Sequence, residues 1–382
     1  MQLAYLSVDR LQNILAKDVF HYAKDAKKAS GRALGTLVEI IAFYSLKAWG
    51  LERHIAIERP LPEFANNDIT HNVEYSLHPA TFLQRIAFTE NSLPLTGRKI
   101  ARCFDPAIIQ TSRDSIKSTS LLAKDHILRN ACTVADLGDS FLNVYLENFA
   151  KERGDVAIVS LRRRPFAVLE CKRVGVEEGM KKGPQTIEKA KQGAYVAKTV
   201  SSLQKIRFAD GRIGGLIELK NDVFRCEEYY SLLAEVIASD NPELLSRFIL
   251  TIGVVSNHGN WFTSENHNKE LRVLAQSYDW LLFLTDAGIA QFIDEILLNP
   301  KKGYEAARDA FLVSYTGKKG VNQFTKVKIA LAADAALQSY FSNKIKTVEG
   351  WFNVIAPAQK GLAILRQELD TLKQKKWEDI HT

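Results

Sequence analysis

Cysteine is scarce in this chain. There are four in 382 residues (Cys103, Cys132, Cys171 and Cys226), none in a C-x-x-C or other close spacing. That pattern argues against a disulfide framework or a zinc ribbon and fits reduced thiols in a cytoplasmic compartment. No apolar run reaches the roughly 20 residues of a membrane-spanning helix, and Asp9 and Arg10 come too early for a signal-peptide core. Internal repeats and low-complexity segments are missing. So is the G-x-x-x-x-G-K-[S/T] phosphate loop, which argues against an ATP-driven machine. What is present is ordinary globular material, 46% hydrophobic and 25% charged, enough for a large core and roughly two or three domains. The net charge of +7 and pI near 9.0 permit a polyanionic partner without requiring one.

The stretch that departs from ordinary patterning is Gly154–Lys172, GDVAIVSLRRRPFAVLECK. Period-two alternation predicts a β-hairpin. Val156 and Ile158 point one way from its first strand, with Asp155, Ala157 and Val159 on the other side. Arg162, Arg163, Arg164 and Pro165 form its turn. On the second strand Phe166, Val168, Glu170 and Lys172 share a face, and Ala167, Leu169 and Cys171 share the opposite one. An apolar strand thus ends in a carboxylate beside an amine, with a second carboxylate at the head of its expected neighbour. Charges there are costly unless paired or metal-bound.

The pattern D-x14-E-x-K resembles the PD-(D/E)XK nuclease superfamily, which includes many type II restriction endonucleases. The resemblance implies a mixed β-sheet core flanked by helices, an α/β restriction-endonuclease-like fold. It also implies that Asp155 and Glu170 hold Mg²⁺, that the backbone carbonyl of Cys171 is a further ligand, and that Lys172 positions or deprotonates the attacking water. Hard cations take oxygen ligands, and a bound metal supplies hydroxide and neutralises charge on a phosphate. Gly154 stands where the family has proline.

An accessory acid is expected on the helix ahead of the first core strand. Apolar spacing of Leu34, Leu37, Val38, Ile41, Ala42 and Leu46 predicts a helix from about Gly31 to Trp49, capped by Ser30, with Glu39 among its apolar residues. Glu39 matches that placement. Glu147, in a helix read from FLNVYLENFAKER, is the rival. His71, Glu74 and His78 fall in strand-like or loop sequence, which favours a DNA-facing or structural role over a metal site. Residues 80–150 otherwise read as mostly helical, with the phosphate-donor-rich loop QTSRDSIKSTS inside them.

Pro184 opens a helix expected to reach Ile206. Its polar face offers Lys189, Gln192 and Tyr195 to a DNA backbone, one residue short of the Q-x-x-x-Y spacing of the exonuclease-like branch. RFILTIGVVSN reads as a covered central strand, followed by a loop in which Asn257, His258 and Asn260 could meet base edges or phosphates. Leu362, Leu365, Leu369 and Leu372 form a stripe at spacings of three and four, suited to packing on the chain's own body or to a short coiled-coil dimer contact.

The expectation assembled from these features has three regions. Residues 1–149 contribute the Glu39 helix and DNA-contacting insertions, 150–298 form the catalytic core, and 299–382 form a helical region with a candidate dimer surface. The implied activity is Mg²⁺-dependent type II cleavage of double-stranded DNA, leaving 5′-phosphate and 3′-hydroxyl ends. A homodimer would serve a palindromic site, with a cognate DNA methyltransferase as genetic partner. The alternatives are a repair or phage-type exonuclease on the same fold, or a catalytically inactive DNA-binding protein.

Overall fold

The computed structural model describes residues 8–21, 25–59, 73–108, 115–150, 153–175, 196–219, 222–258, 269–315, 322–358 and 360–380. After a short helical segment, Val8–Ile14 continued by Leu15–Val19, comes a 23-residue helix, Ala26–Ala48. Asp25 caps it by accepting from the Lys28 amide at 2.9 Å, so the helix starts ahead of Gly31 and buries Ser30 within it. Gly50, at φ +75°, supplies the left-handed residue just beyond its end.

Strands β1 (Ile55–Ile57) and β2 (Tyr75–Leu77) follow. Next come β3 (Ala80–Thr89), β4 (Leu95–Thr96), β5 (Ser120–Leu122) and β6 (Ile127–Arg129). Then β7 (Cys132–Asp136), β8 (Ser140–Ala150), β9 (Arg153–Arg162) and β10 (Ala167–Gly175) complete the first half. A three-stranded sheet, β11 (Gln204–Arg207), β12 (Ile213–Glu218) and β13 (Phe224–Glu228), precedes β14 (Leu250–His258) and β15 (Trp280–Leu284). The last strands are β16 (Lys328–Ala330) and β17 (Phe352–Ala356).

The protein is a mixed α/β fold built on a six-stranded mixed sheet ordered β1-β2-β10-β14-β15-β17. Its first three strands are antiparallel neighbours, β10, β14 and β15 run parallel, and β17 closes the edge antiparallel to β15. The Ala26–Ala48 helix covers one face: Leu37, Val38 and Ile41 share a core with Tyr75, Leu77, Leu169, Ile252 and Val254. Leu271 and Leu274 of the helix Lys269–Ser277 cover the other face against Val174, Val255, Leu281 and Phe283. Burial on both faces is why β15 is an unbroken apolar run and β14 is mostly apolar as far as Val255.

The expected hairpin does not form. β9 pairs with β3 and β8 in a separate sheet ordered β3-β9-β8-β7, whereas β10 pairs with β2 and β14. β9 and β10 are successive halves of one kinked strand, and β3 and β2 are the matching halves of its antiparallel partner. The kink falls at Arg163–Pro165 on one chain and at His78–Pro79 on the other, where ladder amides are scarce. Backbone bonds from Arg162 to Pro79 (3.0 Å) and from Phe166 to Leu77 (2.8 Å) carry the pairing across it. Buried His78 locks the bend: Nδ1 donates to the Arg162 carbonyl and Nε2 accepts from the Ser76 hydroxyl, both at 2.7 Å. Burial lowers its pKa to about 3, so the ring is neutral.

Residues 80–150 are largely β, not helical. Leu142, Tyr145, Leu146 and Phe149 recur at three- and four-residue spacing and mimic a helical face. In the structure they alternate within β8, whose register runs from Ser140↔Arg162 to Ala150↔Arg153. The segment expected to be helical to Ile206 is helical at 196–200 and then becomes β11. The C-terminal region is not a helical appendage. β16 extends the sheet β16-β6-β5-β4, β17 joins the main sheet, and Asp334 of the helix Leu331–Glu349 accepts from the Tyr44 hydroxyl at 2.6 Å. Leu362, Leu365, Leu369 and Leu372 are buried within the chain itself, so the stripe packs on its own body. Among the described residues no helix is long and apolar enough to cross a membrane.

Candidate active site

β10 outlasts its partner. β2 pairs with it only at Ala167, Val168 and Leu169, and among the described residues no strand continues that ladder alongside Glu170–Gly175. The notch this leaves is where the charged side chains collect. Glu170, 5% exposed, accepts from Lys172 Nζ at 2.6 Å through Oε1, and from the Glu74 backbone amide at 3.0 Å through Oε2. A carboxylate that takes both a backbone N–H and an ammonium offsets much of its burial cost. The local fold follows from the sequence: Val168 and Val174 hold the strand in the core, and the intervening even positions place Glu170 and Lys172 on the same side.

Glu39 reaches the same notch from the Ala26–Ala48 helix. Its backbone carbonyl accepts from the Tyr75 hydroxyl at 2.8 Å, which ties that turn of helix to the end of β2. Burial raises the Glu39 pKa, while the positive charges of Lys326 and Lys172 pull it back down. Glu74, immediately before β2, and Glu58, just beyond β1, complete a group of four carboxylates. Glu58 adopts φ +50°, a left-handed backbone uncommon for a residue with a β-carbon. Its amide donates to the Glu74 carbonyl at 3.1 Å. Lys326, from the segment before β16, enters the group with its Nζ 3.2 Å from Glu39 Oε2, 2.9 Å from Glu58 Oε1 and in contact with Glu74 Oε1. Burial pushes the Cys171 thiol and the nearby Tyr278 hydroxyl well above their ordinary ranges, so both stay protonated and neutral.

Of the residues singled out from sequence, Glu39, Glu170, Cys171 and Lys172 come together. Asp155 does not join them. It lies across from Ala87 and Glu147 in the other sheet, and the seven residues from it to Arg162 alone span about 23 Å at the strand rise. Gly154, at the position of the family proline, is explained by packing. A β-carbon there would come within 2.7 Å of Phe88 and 2.9 Å of Phe149, whose rings stack over it. Glu147 sits on β8, bound to Arg53 and to Arg85 Nε (2.9 Å), away from the notch. Asn257 is not in a loop: β14 extends through it, it pairs with Val174, and it is buried in the sheet. His258 ends that strand opposite Gly175. Lys189, Gln192, Tyr195, Asn260 and His71 lie outside the described residues.

Sequence reasoning passed over Glu74 as an acid of this site. The available signal was the one that marked Glu170, a carboxylate held between apolar strand neighbours, here Val73 and Tyr75. Lys326 carried no such mark. It is one of several lysines in a polar stretch, brought in by tertiary structure alone.

The oxygen donors of Glu39, Glu74 and Glu170 are the chemistry a hard divalent cation takes. Among the described residues no three carboxylate, imidazole or thiol groups stand as a preformed metal site; Glu39, Glu58 and Glu74 close on the Lys326 ammonium. No protein-family model, curated protein or solved structure matches this chain.

Proposed function

We propose that this protein is a divalent-metal-dependent DNA endonuclease of the PD-(D/E)XK type, with Glu74 in the acidic role first assigned to Asp155. The observation that carries the reading is the Glu170–Lys172 ion pair at 2.6 Å on a central strand, with the Glu74 backbone amide bonded to the same carboxylate and Glu39, on the covering helix, within the field of Lys172. Further support is the order of strands across the main sheet, three antiparallel neighbours and then parallel strands beyond the E-x-K strand, with the Ala26–Ala48 helix on one face.

In this reading Glu170, Glu74 and Glu39 hold Mg²⁺, and the Cys171 carbonyl is a further candidate ligand. The metal, when bound, supplies a water of lowered pKa and neutralises charge on the phosphate. Lys172, about a quarter exposed and tethered to Glu170, is poised to orient a water at the solvent side of the notch and to share the negative charge of the transition state. Its tether also holds the ammonium in place before substrate arrives, which lowers the ordering cost of the reactive arrangement.

The finer reading is a type II restriction enzyme acting on double-stranded DNA as a homodimer, with a methyltransferase protecting the host site. The test is purified protein incubated with supercoiled plasmid and with long linear DNA, in Mg²⁺ and in EDTA. Discrete Mg²⁺-dependent fragments, lost in Glu170→Ala and Lys172→Ala, are the expected outcome. A smear from linear DNA alone would move the assignment to an exonuclease. Absence of cleavage with several DNAs and metals would overturn the nuclease reading.

A further inference from the structure

Lys326 stands out in the carboxylate cluster because it comes from outside the elements that build the site. Its side chain is 6% exposed, yet its ammonium contacts three carboxylates carried by three different segments: Glu39 on the long helix, Glu58 after β1 and Glu74 before β2. The backbone that carries it is held firmly. The Asn130 side-chain amide donates to the Lys326 carbonyl at 3.0 Å, the Asn130 backbone amide donates to the Val327 carbonyl at 2.9 Å, and Phe324 is fully buried nearby. The main chain is therefore anchored to the turn between β6 and β7, and the flexible four-carbon stem spans the gap to the carboxylates.

The charge count makes this placement consequential. Glu39, Glu58, Glu74 and Glu170 face Lys172 and Lys326, so two negative charges are left over with Lys326 in place and three without it. A lysine at the centre of oxygen donors neutralises repulsion that would otherwise spread the cluster apart. It also occupies the volume that a divalent cation shared by Glu39 and Glu74 would need.

We infer that Lys326 is a built-in counter-cation of this site, holding the carboxylates together before metal binding and displaced from them by an incoming divalent ion. The inference rests on the reading of the notch as a metal site. It adds that metal entry is a competition with a side chain of the same protein. Metal affinity is then set partly by Lys326, and the ammonium withdraws towards solvent when the metal binds.

The direct test is calorimetric titration of the full-length protein with Mn²⁺ alone, without DNA, comparing wild type with Lys326→Met. Methionine keeps most of the buried stem and removes the charge. The variant is expected to bind Mn²⁺ at least about tenfold more tightly, because the metal no longer has to displace a cation. Its melting midpoint should fall below wild type in EDTA and recover on addition of Mn²⁺. Unchanged or weaker Mn²⁺ binding in the variant would overturn the inference.

A second measurement needs no substitution. Acetylation of Lys326 in the wild-type protein, read by mass spectrometry, should rise several-fold when Mn²⁺ is present. Protection or no change would overturn the displacement. Plasmid cleavage is scored separately. A protein that cuts DNA with Mg²⁺ but shows neither effect loses the Lys326 inference alone. One that shows both effects but cuts no DNA loses the nuclease reading alone.

Discussion

The backbone N–H of Glu74 donates to Glu170 Oε2 at 3.0 Å, at the point where β2 stops pairing with β10. The Glu74 main chain is thereby tied directly to the Glu170 carboxylate. Under the proposed function Glu74→Gln should reduce plasmid cleavage by at least about a hundredfold, the scale expected when one anionic group of a charge-stabilising site is lost. Asp155→Asn, in the other sheet, should cleave at close to the wild-type rate. The comparison is made on the same plasmid at saturating Mg²⁺. Loss of activity in Asp155→Asn with retention in Glu74→Gln would reverse the assignment made here.

Much of this site was legible in the sequence, and what was not has a physical cause. Glu170 and Lys172 are local: two residues apart on an apolar strand, they share a side whatever the rest of the chain does. Glu39 was legible for a similar reason, an acid embedded in a long apolar helical face. Asp155 was misplaced because strand periodicity reports which residues face which way but carries no information about the partner strand. A turn of arginines and a proline can close a hairpin or kink a single ribbon, and here Pro79 and His78 kink the neighbouring chain at the same level. The β-rich stretch 80–150 reads as helical because its apolar residues recur at three- and four-residue spacing, and in β8 that spacing arises from apolar residues on both faces of the strand, Leu142 in one cluster and Tyr145 in another. Lys326 lies more than 150 residues from Glu170 in sequence, and only the fold brings it to the site.

The aromatic cover of Gly154 gives a packing prediction. An alanine β-carbon would lie 2.7 Å from Phe88 and 2.9 Å from Phe149, and half-buried Phe149 can give way. Gly154→Ala should therefore cost about 1–2 kcal/mol of stability, as overpacking typically does. Plasmid cleavage should be unaffected, since the position belongs to the sheet of β9 and not to the notch. Chemical denaturation and the cleavage assay on the same preparation check both halves.

The C-terminal leucine stripe separates two readings of oligomerisation. Leu365, Leu369 and Leu372 are buried inside the chain, and Trp280 Nε1 donates to Glu368 Oε2 at 2.7 Å from the main sheet to the same helix. Leu369→Ala should lower stability by about 2–5 kcal/mol, the range for truncating a buried leucine. It should leave the sedimentation-derived mass of the folded protein unchanged. A drop in mass with little change in the denaturation midpoint would place the stripe at a subunit contact.

The kink of the long ribbon makes stability depend on pH. His78 is buried at the bend with its pKa lowered from 6.5 to about 3, chiefly by burial. His54, whose Nδ1 lies 2.9 Å from the His78 carbonyl, is lowered too, with burial again the largest cause. Both pKa values lie below that of an unfolded histidine, so as pH falls through 6.5 the unfolded chain takes up protons more readily than the folded chain does. Stability is therefore fully present above pH 6.5 and is lost as pH falls, for His78 down to about 3. Each histidine contributes at most about 1.4 kcal/mol per pH unit. The window from pH 6.5 to 5 is the diagnostic one, because the unfolded histidines take up their protons there and comparison with a His78 variant cancels the contribution of the other titrating groups. Urea denaturation across that window should show the decline in wild type. In His78→Asn, which retains a polar group at the kink but does not titrate, the protein should be less stable at pH 7 and the slope shallower. A wild-type stability that stays level between pH 6.5 and 5 would show that these rings accept protons without disturbing the bend.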